Sequence, residues 1–208
     1  MNRLLATHGR VLALGAHPDD LEVGAGGLLA RLAADGADVT MAVVSVPTHA
    51  AERVREAKAG AALLGADLFV VCEERQCRVE DVPMHELVRR LDALVAERKP
   101  DLVITHSSND LHWDHGLVHR ATISALRRTP CDLLAYVSSP ELNAQSRGPG
   151  QCFVDITATI DTKIAAIRAH ATQLPKLDVE ATRDVARGIG RIGGFAYAEA
   201  YEVLRVRI

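Results

Sequence analysis

Short apolar runs alternate with longer segments of helical period along almost the whole chain, and no other feature limits its fold so strongly. The runs "VLALGA" (11–16), "DVTMAVVSV" (38–46), "LFVVC" (68–72) and "DLVITHS" (101–107) read as buried strands. So do "LLAYVSS" (133–139), "CFVDIT" (152–157) and a closing strand within "YEVLRVRI". A helix starting near Leu21 ends on Gly36, and an alanine-rich helix over 50–65 also closes on glycine, the residue that most easily takes the left-handed backbone past a helix end. Over 82–100, Met84, Leu87, Val88, Leu91, Leu94 and Val95 recur at three- and four-residue steps, which makes one face of an amphipathic helix. Further helices are read over 115–128, 160–173 and 178–190. This pattern predicts an α/β protein: a Rossmann-like three-layer sandwich with a mostly parallel sheet, in a single domain over 1–208. Such sheets bind ligands in the crevice beyond the carboxyl ends of their strands.

Two polar clusters sit at those strand ends. "AHPDD" (16–20) follows the first strand, and "THSSNDLHWDHGLVH" begins at the end of the fourth. The second holds His106, His112, His115 and His119 with Asp110 and Asp114, so that four of the chain's nine histidines fall in one loop and helix start. A catalytic zinc site takes three nitrogen or carboxylate-oxygen ligands and leaves one position open. His17 and Asp20, three apart on a tight loop, suit one ion, and His115 completes the set if the two strands are neighbours. A bound cation would also explain why two aspartates stand side by side, since it offsets their repulsion. The bland alternative makes Asp19 or Asp20 the cap of the helix that follows. Gly24, Gly26 and Gly27 are read as allowing that helix to approach the sheet closely; they do not make the dinucleotide fingerprint, because "HPDD" occupies the loop a pyrophosphate would need.

Composition narrows the function classes. The net charge is −3 with scattered basic residues, which gives no surface for nucleic acid or an anionic membrane. No apolar run approaches the length of a membrane span, and the N-terminal "MNRLLATHGR" lacks the features of a signal peptide. Cys72, Cys77, Cys131 and Cys152 form no C-x-x-C pair and read as small core residues. A cytoplasmic location follows as the expectation.

"AHPDD" and the "HWDH" of 112–115 together resemble the hallmarks of the PIG-L/LmbE-like family of zinc-dependent N-acetylglucosaminyl deacetylases. Arg53 and Glu56 with "LLG" (63–65) match its R-x-x-E helix, and Lys163, His170 and Gln173 match its K…H-x-S-Q pattern with Thr172 in the serine position. The resemblance implies that His17, Asp20 and His115 bind one zinc ion per chain and that Asp19 is the general base. It implies that His112 stabilises the tetrahedral intermediate and that Asp114 orients it; independently, an aspartate next to His112 is expected to raise the imidazole's pKa and keep it cationic. Arg53, Trp113 and His170 are candidate substrate-binding residues. For Arg53 an exposed helix arginine, for Trp113 buried packing and for His170 helix packing are the alternatives. His106 and His119 read as supporting or structural residues.

The chain departs from the family in "SVPTHA", where a threonine and a glycine-acid loop are usual, and in Trp113, where proline is common. These changes leave the chemistry intact and bear on the substrate. The reaction expected is removal of an N-acetyl group from an amino sugar or its conjugate, giving acetate and a free amine. The rivals are an amidase cutting a larger acyl group from a thiol-sugar or natural-product conjugate, and a non-catalytic metal- or sugar-binding module. The partner expected is a small-molecule amino sugar, and the family also admits a homo-oligomer. Specificity is expected in the loops around 46–52, 72–82 and 139–151.

Overall fold

Alternate residues of the central strands face opposite ways, and this sets up two separate cores. In the computed structural model, which describes residues 8–73, 77–136 and 152–207, Val11 and Ala13 pack on one side of the first strand, and Leu12 and Leu14 on the other. The elements in order are β1 (Arg10–Gly15), α1 (Asp20–Ala34), β2 (Asp38–Val43), α2 (Ala50–Leu63), β3 (Asp67–Val70), α3 (Met84–Arg98) and β4 (Leu102–His106). They continue with α4 (Trp113–Ala125), β5 (Asp132–Tyr136), β6 (Cys152–Asp155), α5 (Ile160–Arg168), α6 (Val179–Gly193) and β7 (Ala198–Arg205). The sheet runs β3-β2-β1-β4-β5-β7-β6. The pairs among β1 to β5 are parallel, whereas β7 runs antiparallel to both β5 and β6.

One core joins α1, α2, α5 and α6 to the face carrying Val11, Met41, Ile104 and Tyr136. The other joins α3 and α4 to the face carrying Leu12, Ala42 and Val103. The three layers expected from the sequence are therefore present, with Cys72, Cys77 and Cys131 buried in them. Strand order reverses between β1 and β4, which are direct neighbours. A crevice opens beyond their carboxyl ends at such a switch point.

The glycines of α1 let it lie against the sheet. A Cβ on Gly24 would collide with the Tyr136 ring, and one on Gly27 would come within 2.7 Å of Ile156. One helix ends earlier than the sequence suggests. The helix read over 160–173 stops at Arg168, because Thr172 turns aside and donates both its N–H (2.8 Å) and its hydroxyl (2.6 Å) to Glu56. The strand read over 133–139 spans Asp132–Tyr136. Its remaining residues, the loop through 151 and residues 74–76 lie outside the described residues. No described helix is long and apolar enough to cross a membrane.

Candidate active site

The loop after β1 turns within four residues, and its geometry decides between capping and chemistry. Asp19 stands just before α1 with φ 93° and makes no side-chain cap hydrogen bond. A non-glycine residue there is strained, and such strain collects at functional sites. Asp20 uses Oδ2 to accept the His17 N–H at 2.8 Å, which fixes the turn. Neither carboxylate caps the helix in the usual way, so the bland alternative fails for both.

The second cluster arrives from β4 and the start of α4. His106 ends β4, fully buried, and its Nε2 accepts the Ala16 N–H at 2.9 Å. That bond ties the two strand ends together. His115, on the first turn of α4, brings Nε2 to 3.3 Å from Asp20 Oδ1, while its Nδ1 lies 2.8 Å from Asp110 Oδ2. Its ring stacks on His106 at 3.9 Å between centroids and on His112 at 4.4 Å. His17 closes the group with Nδ1 3.7 Å from Asp20 Oδ2 and Nε2 2.9 Å from Asp114 Oδ2. Two sets of donors, His17 with His112 and His115, and Asp20 with His106 and His115, each lie within 4.8 Å of one another. The buried Asp20 carboxylate is thus ringed by imidazole nitrogens, the N/O donor set that suits zinc. Neither set is His17, Asp20 and His115, the triad expected from the sequence, although His115 belongs to both and the donors in each suit a divalent cation.

Electrostatics in the cluster are strongly perturbed. Burial and then the neighbouring Asp20 carboxylate push Asp19 up to about 7, with Arg53 pulling the other way. Burial opposes the charge on Asp20, but His115 and His106 hold its carboxyl well below the usual range. Burial likewise opposes the charge on His115, yet Asp20 and Asp110 raise it to about 10. His106 falls to about 4, mainly through burial and then through His115. His112 departs from the sequence expectation of a cation held by Asp114. Burial, then His115 and His17, lower its pKa. The Asp114 carboxylate meets His17, and it is the Asp114 backbone N–H that donates to His112 Nδ1 at 3.2 Å. An imidazole accepting at Nδ1 carries its neutral-state proton on Nε2.

The outlying candidates fall differently from their sequence readings. Arg53 is 6% exposed, donates to the Pro18 carbonyl at 3.0 Å and sits 3.6 Å from Asp19 Oδ1. It is not an exposed helix arginine; it braces the Asp19 loop, and its buried Nε has no hydrogen-bond partner among the described residues. His170 has no exposed surface, and its Nε2 lies 2.9 Å from Glu22 Oε1. It packs between helices rather than lying open, its Nδ1 has no hydrogen-bond partner among the described residues, and its charge acts on Asp19. Trp113 is 64% exposed at the start of α4, near the exposed Leu111, so buried packing does not apply. His119 meets the His106 carbonyl through Nδ1 at 2.8 Å. Reading the sequence assigned no role to Asp110 or Glu22, whose partners only the fold reveals. A separate cleft of about 490 Å³, lined by Arg10, Lys99, Arg127, Arg128 and Arg207, lies at the opposite end of the strands. No histidine is among its lining residues.

Comparison with known proteins agrees with this geometry. The PIG-L family model, described as GlcNAc-PI de-N-acetylase, matches residues 12–126, which span both clusters. The "Uncharacterized deacetylase YaiS" of Escherichia coli (strain K12) is 28% identical over 135 residues, covering 61% of this chain and 72% of that protein. Diacetylchitobiose deacetylase of Thermococcus kodakarensis is 25% identical over 220 residues, covering 91% of this chain and 81% of that protein. The crystal structure of the conserved protein TT1542 from Thermus thermophilus superposes with a TM-score of 0.81 at 25% identity, covering 96% of each chain. A family match over more than half the chain, falling on the residues that build the cluster, has one consequence: this protein belongs to the PIG-L family.

Proposed function

We propose that this protein is a zinc-dependent hydrolase that removes an N-acetyl group from an amino sugar or amino-sugar conjugate. The observation that carries the reading is the convergence of "AHPDD" and "HWDH" on one buried carboxylate, with Asp19 strained and uncapped beside it. Relatives named as deacetylases of acetylated amino sugars give the substrate class.

His17, Asp20 and His115 would hold the zinc ion. When bound, it supplies Lewis acidity and lowers the pKa of water to about 7. Asp19 accepts the proton of the water that attacks the acyl carbon. As the carbonyl oxygen gains charge, His112 donates to it from Nε2, the nitrogen left protonated by the Asp114 backbone bond. The C–N bond then breaks, and Asp19 returns its proton to the departing nitrogen, leaving acetate and a free amine. Asp114 holds the His17 ring through Nε2, and Arg53 fixes the turn that presents Asp19. Trp113 offers an open aromatic face at the rim, suited to one face of a sugar ring.

Zinc-loaded protein assayed against N-acetylated monosaccharides, glycosides with acidic or inositol aglycones, nucleotide sugars and short oligosaccharides tests this reading. Amine and acetate released in equal amounts, and absent with Asp19→Ala, are expected for at least one member. Zinc bound without release from any member contradicts the acetyl reading in favour of a larger acyl group.

A further inference from the structure

We infer that Asp110 is the positioning residue of this site: one carboxylate oxygen fixes the ring of His115 and the other fixes the backbone that carries His112. The inference rests on the metal-centre reading above and adds a residue to which no role was assigned. The Asp110 side chain is fully buried. Its Oδ2 lies 2.8 Å from His115 Nδ1, and its Oδ1 accepts the His112 N–H at 3.0 Å. The loop beneath is anchored in turn, because the Asp110 N–H reaches the Ser107 carbonyl and the Ser107 N–H reaches the Tyr136 carbonyl at 2.7 Å.

A loop aspartate commonly accepts an N–H two residues ahead of itself, and that bond alone would make Asp110 a turn former. The second bond has no place in a turn. It crosses from the loop into α4 and meets the ring nitrogen of His115 that faces away from Asp20. An imidazole has two nitrogens, and the one engaged by a carboxylate decides which is left for a metal. Here Nδ1 is engaged, so Nε2 is the nitrogen that faces Asp20. Flipping the ring would break the bond between Asp110 Oδ2 and Nδ1. His106, stacked 14° from parallel beneath His115, closes off ring movement on that side. Asp110 therefore sets the identity of the donor atom at His115 and, through the backbone, the position of His112.

Two substitutions separate this role from turn formation. In Asp110→Asn the amide oxygen satisfies one of the two donors, leaving an NH2 where an acceptor was required. In Asp110→Ser the hydroxyl oxygen can still accept the His112 N–H but is too short to reach His115. Zinc affinity is measured by competition with a chromophoric chelator, and the His115 tautomer by long-range 15N correlation in the zinc-loaded state. The wild-type protein is expected to bind one zinc with the His115 proton on Nδ1. Both variants are expected to fold and to bind zinc about 10- to 100-fold more weakly, with the His115 signature altered. Folded variants that bind zinc within twofold of wild type with an unchanged tautomer overturn the inference and leave the metal centre standing. Failure of both variants to fold also overturns it, making Asp110 a folding residue. A wild-type protein that binds no zinc overturns the inference together with the reading beneath it.

Discussion

Asp19 concentrates the site's demands in one residue. Its backbone takes φ 93°, and its carboxyl is pushed up to about 7 by burial and by Asp20. A left-handed conformation costs a non-glycine residue about 1–2 kcal/mol. Asp19→Gly is therefore expected to be more stable than Asp19→Ala by about 1 kcal/mol, read as a higher thermal midpoint, although both lose turnover. Equal midpoints would mean that the turn holds no strain. Trp113, 64% exposed, makes a contrasting case. Trp113→Ala is expected to raise KM for the amino-sugar substrate while leaving thermal midpoint and zinc affinity unchanged; a lowered midpoint would show it to be a packing residue. The sequence singled out the cluster because histidine and aspartate gathered at strand ends have few uses. It could not identify the partners of Asp114 and His112, since one residue either way along the first turn of a helix decides which ring a carboxylate meets.

Helix contacts carry most of what the sequence hid. The glycines of α1 were legible as places of close approach, and Gly24 against Tyr136 bears that out. Gly60 on α2 was not, because the Glu22–His170 pair that it accommodates joins residues far apart in the chain; a Cβ there would lie 2.5 Å from Glu22 Oε1. The same distance in sequence hid Glu199 on β7. It accepts from the Lys163 ammonium at 2.6 Å, the Tyr201 hydroxyl at 2.7 Å and the N–H groups of Gly27 and Leu28 at 2.8 Å each. Lys163 matched a family pattern in the sequence, and its place here is to neutralise a carboxylate that locks α1 to the sheet. Removing one member of a buried pair costs about 3–5 kcal/mol, because the other charge stays behind. Lys163→Met is expected to lose that much in denaturant unfolding, and the double change with Glu199→Gln to recover a large part of it. A loss under about 1 kcal/mol would show the pair to be a minor contributor.

At the scale of the whole molecule, the sandwich and its parallel centre were legible from alternation alone. Strand order was not, because the antiparallel β7 inserts between β5 and β6 without any local signal. On β5, Asp132 clasps the first and last described stretches, meeting His8 Nε2 at 2.9 Å and Arg207 Nε at 2.9 Å. Burial opposes the charge on Asp132, but the Arg207 and His8 hydrogen bonds hold its carboxyl below the ordinary value. A lowered pKa in the fold means stability that is complete above the unfolded carboxyl value, about 3.9, and lost as pH falls through the folded one. The wild-type midpoint is expected to drop more between pH 7 and pH 3 than that of Asp132→Asn; parallel drops would remove the clasp from the acid response. The proposed function divides labour between the two clusters that this architecture joins at the switch point: His17, Asp20 and His115 would hold metal, and Asp19 would move protons. Zinc content and amine release, measured side by side in wild type, Asp19→Ala and His115→Ala, test that division most directly. Asp19→Ala is expected to keep zinc while turnover falls by about 10²–10⁴-fold, and His115→Ala to lose both. Turnover by Asp19→Ala at the wild-type rate would contradict it.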